Sequence, residues 1–130
     1  MLQVEVVSPE KILFSGEARM VIARTSAGDI AFETGHVPFI GNLEIHPVRV
    51  IFEGGKEQVV AVHKGFVECA YDRVTILSDL AELADEIDVP RAEAALARAE
   101  SALGHATEPD LRLAEAMRRA QVRIEAAAGA

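Results

Sequence analysis

What this chain lacks narrows its chemistry first. Cys69 is its one cysteine, so neither an internal disulfide nor a thiolate metal cluster is available. Placed in the apolar alternation of GFVECAY, it reads as a small core residue. No apolar run approaches the roughly 20 residues of a membrane span, and the N-terminal MLQVEVVSPE has neither the basic nor the apolar region of a signal peptide. The expectation is a cytoplasmic chain that meets a membrane only through partners, with no direct insertion.

Basic charge is scarce as well: 13 Lys and Arg stand against 21 Asp and Glu. The deficit is confined to residues 1–90, with 7 basic and 15 acidic side chains, whereas residues 91–130 carry 6 of each. A negative domain repels phosphate backbones, which argues against a nucleic-acid partner. Catalytic motifs are also missing. There is no GxSxG, and Gly55-Lys56 lacks the spaced glycine of a phosphate loop. His36, His46 and His63 show no HxH or HxxxH spacing, so no metal site and no catalytic residue is expected, and the histidines should find backbone partners. A small metal-dependent barrel enzyme ranks last among the functional classes.

What is present divides in two. Leu2, Val4 and Val6 alternate with Gln3 and Glu5, the period-two mark of a half-buried strand. Short strands follow: Lys11 to Phe14, ended by a Ser15-Gly16 turn; Glu17 to Arg24, with Met20 and Ile22 inward; Val48 to Phe52 and Gln58 to Val62 around Gly54-Gly55; and Arg73 to Ser78. Lys64-Gly65-Phe66 and Tyr71-Asp72 read as breaks, and Pro38 and Pro47 restrict any strand they touch to an edge or an end. Strands at this spacing predict a sandwich or barrel.

The character changes between Asp79 and Arg98. Five acidic residues and no basic one lead to Asp88, which reads as a solvated linker ending in a helix N-cap, with Pro90 in the first turn. Ala92, Ala95, Leu96, Ala99, Ala102 and Leu103 then form one helical stripe, closed by Gly104. Thr107 and Asp110 make a capping-box-like pair before a second helix with the stripe Leu113, Ala116, Met117, Ala120 and Ile124. The short connection makes the helices antiparallel. The expected fold is therefore α+β: an N-terminal antiparallel β-sandwich over 1–84 and a C-terminal antiparallel two-helix hairpin over 85–130. Alanine buries a single methyl, worth about 0.8 kcal/mol against about 1.5 to 3 for leucine. Such a hairpin is shallowly seated, and two arrangements are expected, docked on the strand domain and extended from it. Arg91 and Arg98 on the first helix, with Arg119 and Arg123 on the second, are spaced to converge on one anion, although a salt-bridging face with Glu100, Glu115 and Glu125 explains them equally well.

The segments VEVVSPEKILFSG, GDIAFETGHVPF, KGFVECAYDRVTILSD, EIDVPRAEAALARAE and AMRRAQVRI, in this order, resemble the epsilon subunit of bacterial F-type ATP synthase over nearly the whole chain. The resemblance implies a sandwich of about ten strands plus a hairpin. It implies a non-catalytic rotor subunit on the cytoplasmic face of the plasma membrane, peripheral to it, bound to the gamma subunit and the c-subunit ring. Gly28, Asp29, His36 and Pro38 would lie in the ring-facing loop region. No cofactor is required. The hairpin would block ATP hydrolysis when extended into the alpha/beta head, through Arg112, Arg118, Arg119 and Arg123. ATP would be a regulatory ligand of the folded hairpin at Glu82, Asp88, Arg91, Ala92, Arg98, Arg119 and Arg123. The alternative is a free-standing ATP-sensing module without a motor. The chain departs from the family's GELGILPGH at Gly28 to His36, has Pro47-Val48 where a PG turn is usual, and has Lys64-Gly65-Phe66 in place of GGF.

Overall fold

The structure, a computed structural model, describes residues 1–129; Ala130, the last residue of the expected hairpin, lies outside them. The described residues form eight strands: β1 (Leu2–Val7), β2 (Ile12–Ala18), β3 (Met20–Thr25), β4 (Gly28–Glu33), β5 (Phe39–Ile51), β6 (Glu57–Ala70), β7 (Arg73–Leu77) and β8 (Ala81–Leu83). Two helices follow, α1 (Val89–Gly104) and α2 (Leu111–Ala127). The strands run in the order β2-β1-β7-β6-β5-β3-β4, with β8 also on β6.

Two long strands make two layers from this sheet. The first part of β6 pairs with β8 at Val60 to Val62, and its last part pairs with β7 at Phe66 to Ala70. Between them Lys64 and Gly65 take positive φ values of 68° and 133°, and the strand changes layer. β5 accompanies β6 throughout, Ile51 facing Glu57 at one end and Phe39 facing Cys69 at the other. One layer thus holds β4, β3, the end of β5, the start of β6 and β8. The other holds β2, β1, β7, the end of β6 and the start of β5.

The core lies between the layers, where Leu2, Val4, Val6, Val21, Phe32, Val48, Val50, Val60, Val62, Val67, Val74 and Ile76 form one buried cluster with Cys69. Burial pushes the Cys69 thiol pKa up, and Asp72 adds to the shift. Opposite parity on β5 and β6 builds a second face. Ile45, Val59 and Ala61 pack there against Val122 and Ala126 of α2. β6 is consequently buried at five successive residues, Val59 to His63, as expected of a strand covered on both sides.

Several expectations need correction. The sheet is mixed, because β1 and β7 are parallel. Ser15-Gly16 makes no turn; β2 runs through it, paired with Glu5 and Val4. In β3 the buried residues are Val21, Ala23 and Thr25, not Met20 and Ile22. With apolar residues at four successive positions, the alternation carries no parity, and one step inverts every side chain. Pro47 lies inside the interior strand β5, opposite Ala61. The β3 ladder is interrupted there, between Ile22–Arg49 and Thr25–Leu43, and an interrupted ladder tolerates a missing donor. Lys64-Gly65 bends β6 without ending it. The acidic linker is partly ordered as β8 and a 3-10 turn at Ala84–Glu86. Asp110 alone caps α2, accepting from the amides of Arg112 and Leu113 at 3.0 and 3.2 Å, and Thr107 takes no part.

Candidate functional site

Asp88 caps α1 by accepting the Arg91 amide at 3.1 Å, with Pro90 in the first turn where no donor is needed. That start sets the phase of the helix, so Arg91, Ala92, Ala95 and Arg98 face one side. There they line a cavity of about 380 Å³ together with Glu82, Glu86, Asp88 and Arg123, within the roughly 300 to 1,000 Å³ range of small-molecule sites. Six of the seven residues expected at a nucleotide site therefore meet around one space: Glu82, Asp88, Arg91, Ala92, Arg98 and Arg123. Arg119, one helical turn before Arg123, is not in its lining.

Charge in the cavity is divided unequally. Among the described residues no ion pair holds the guanidinium of Arg91 or Arg98. Glu82, in contrast, is paired through one of its oxygens. Its Oε1 accepts from His63 Nε2 at 3.0 Å and from Arg123 Nε at 2.7 Å. The His63 hydrogen bond is the largest influence on its carboxyl and Arg123 adds to it, while burial opposes both, and the pKa falls to about 2.

These bonds also tie α2 to the sandwich. Arg118 Nε donates to the Ile45 carbonyl at 3.1 Å, and Lys64 pairs with Glu115. Of the four arginines expected to reach the catalytic head, Arg118 and Arg123 are thus occupied by the sandwich or the linker, while Arg112 is exposed and Arg119 half-buried. The hairpin is in the docked arrangement.

His63 was the residue that sequence reasoning misjudged. His36 and His46 do bond backbone carbonyls, of Val37 at 2.7 Å and Pro47 at 2.9 Å, but His63 is 7% exposed and holds a carboxylate. Its signal was the position closing the apolar run VVAV, where a strand is covered on both faces. The four residues expected in one ring-facing loop do not share one. Gly28 and Asp29 begin β4 beside the β3–β4 turn, whereas His36 and Pro38 lie beyond its other end, roughly 17 Å away for a strand of this length. Asp29 is paired with Arg24 across the turn through both carboxylate oxygens. That hydrogen bonding holds its carboxyl below the usual range.

Comparison with known proteins bears on this arrangement directly. The ATP synthase delta/epsilon beta-sandwich domain matches residues 1–84, and the long alpha-helix domain of the same chain type matches residues 85–128. The chain belongs to the ATP synthase delta/epsilon family. Similar relatives include the ATP synthase epsilon chains of Streptomyces griseus, 46% identical over 98% of this chain and 95% of that one, and of Bacillus pumilus, 41% identical over 97% and 96%. That of Brevibacillus brevis is 49% identical over 78% and 77%. Among solved structures, a chain of the Euglena gracilis mitochondrial ATP synthase superposes with a TM-score of 0.72 at 21% identity, covering 95% of this chain and 75% of its own length. A chain of the Tetrahymena thermophila mitochondrial enzyme, from its central stalk and c-ring structure, gives 0.60 at 14% identity over 98% and 94%. Both show a shared fold. Within the family this chain is an epsilon-type, non-catalytic subunit of an F-type ATP synthase. No described helix is long and apolar enough to cross a membrane.

Proposed function

We propose that this epsilon-type subunit is a nucleotide-sensitive brake on the motor: its docked hairpin binds ATP without hydrolysing it, and its released hairpin opposes ATP hydrolysis. The observation that carries the reading is the cavity at the hairpin base, where Arg91 and Arg98, two guanidiniums without ion-pair partners among the described residues, stand beside Arg123. Guanidinium forks bind phosphate oxygens bidentately. The Ala92 and Ala95 methyls give the same space an apolar wall for a base.

Such a ligand spans both helices and the linker, so it favours the docked state by mass action. At ten times its dissociation constant it contributes about 1.4 kcal/mol, enough to tip a hairpin seated on the sandwich by Val122, Ala126 and three polar ties. Release requires the Arg123–Glu82, Arg118–Ile45 and Lys64–Glu115 ties to break. Arg112, Arg118, Arg119 and Arg123 are then available to an acidic surface of the alpha/beta head. The sandwich is the part that joins the gamma subunit. Asp29, at the Gly28 end of β4, is the residue we assign to a polar contact with the c-ring. The subunit accordingly works at the cytoplasmic face of the membrane, held there by its partners.

Titration calorimetry tests the ligand. ATP added to the wild type should release heat at a single site, Arg91→Ala should weaken binding at least tenfold, and no ADP should accumulate. Equal or absent heats in both proteins would remove the nucleotide from the proposal.

A further inference from the structure

The Nδ1 atom of His63 is buried and has no hydrogen-bond partner among the described residues. Its other ring nitrogen, Nε2, serves Glu82. Because a carboxylate only accepts, Nε2 carries the proton in the neutral ring and Nδ1 is a bare acceptor. A second proton would create a buried donor with no acceptor in reach, together with a buried charge.

The surroundings make that proton consequential. Arg123 of α2 donates to the same Glu82 Oε1 that His63 uses. Lys64, the next residue of β6, is already paired with Glu115 of α2. Facing β5 offers Ile45 opposite His63, with the exposed Glu44 beside it. His63 also lines a second cavity of about 520 Å³, with Val7, Pro9, Phe66, Ser78 and Asp79 among others. An imidazolium would thus be a third cation beside Arg123 and Lys64, dividing with Arg123 the one negative charge of Glu82. Its new N–H would have no acceptor among the described residues in the docked arrangement.

We propose that His63 is a proton-operated latch for the hairpin: neutral, it steadies Glu82 for Arg123; protonated, it places a second buried cation on the single carboxylate that balances Arg123, and so weakens the hold on α2. His63 acts here as a positioning residue, through Glu82. Taking up a proton adds positive charge to a histidine, so acidification would loosen the hairpin. The inference rests on the reading that the hairpin can leave the sandwich, and it needs no nucleotide.

The test uses the full chain without ATP, carrying dyes at Tyr71→Cys on the sandwich and Ser101→Cys on α1, with single-molecule energy transfer reporting their separation. The released fraction in the otherwise wild-type protein should rise as pH falls from 8 to 5.5, by up to about tenfold per pH unit, the limit for release coupled to one proton. His63→Gln, which keeps a neutral donor, should stay docked with no pH response. A flat wild type, or a parallel response in His63→Gln, overturns the proposal. Because that substitution also alters packing, nitrogen-15 NMR of the unsubstituted protein supplies a second criterion: His63 Nδ1 must gain its proton with the midpoint of release, and separate midpoints overturn the latch. Arg123→Ala should open the hairpin at every pH. If it opens while the wild type ignores pH, the latch falls and hairpin motion stands; if nothing opens it, both fall.

Discussion

Gly65 is where β6 passes from one layer to the other, and its conformation leaves no alternative residue. Its φ of 133° is outside the range of ordinary side chains, and a Cβ there would run into the Leu77 carbonyl oxygen. Gly65→Ala should therefore destabilise the sandwich by on the order of 3 kcal/mol or more, read as a lower urea midpoint. Glu82 gives a prediction of another kind. Its carboxyl is depressed from the ordinary 4.5 to about 2 in the folded protein, so its contribution is complete above the ordinary value and is lost as pH falls toward 2. Thermal unfolding from pH 5 to 2 should show a loss on the order of 2 kcal/mol, allowing for partial exposure, that Glu82→Gln does not show. Gly65 was legible as a break, since Lys-Gly interrupts the apolar pattern. His63 was not, because its role depends on Glu82, nineteen residues later, returning beside it on β8.

Helix α2 has two working faces. Leu113, Ala116, Met117, Ala120 and Ile124 were readable as a stripe, but Val122 and Ala126 are buried on the sandwich side. Periodicity reports the larger face and blurs a second one when alanine occupies both. Val122→Ala should loosen docking by about 2 kcal/mol, from two lost methyl groups and the resulting space. Limited proteolysis should then cut faster near residues 84–88, while the melting of the sandwich itself changes little. The N-caps Asp88 and the positions of both helices were accessible from local residues, because caps act within one turn. Strand β8 was not: its three residues, Ala81 to Leu83, carry no strand pattern and are ordered only by β6.

For the whole molecule, the division between strand and helix halves becomes a division of labour. All of the negative excess lies in residues 1–90, and the helices are balanced. In the reconstituted catalytic complex, a chain ending at Asp88 should give a higher ATP hydrolysis rate than the full chain; an unchanged rate would take the brake away from the helices. The sequence by itself determined the two halves, the Asp88 cap, most strands and the arginine-bearing helix faces, because these follow from periodicity and from interactions a few residues long. Only the tertiary structure decided that β5 and β6 serve two layers, that Pro47 sits inside a strand, that Glu82 joins His63 to Arg123, and that Arg119 stands apart from Arg91 and Arg98. Each of these depends on contacts between residues distant along the chain, where a shift of one position in register changes every neighbour and leaves the local pattern intact.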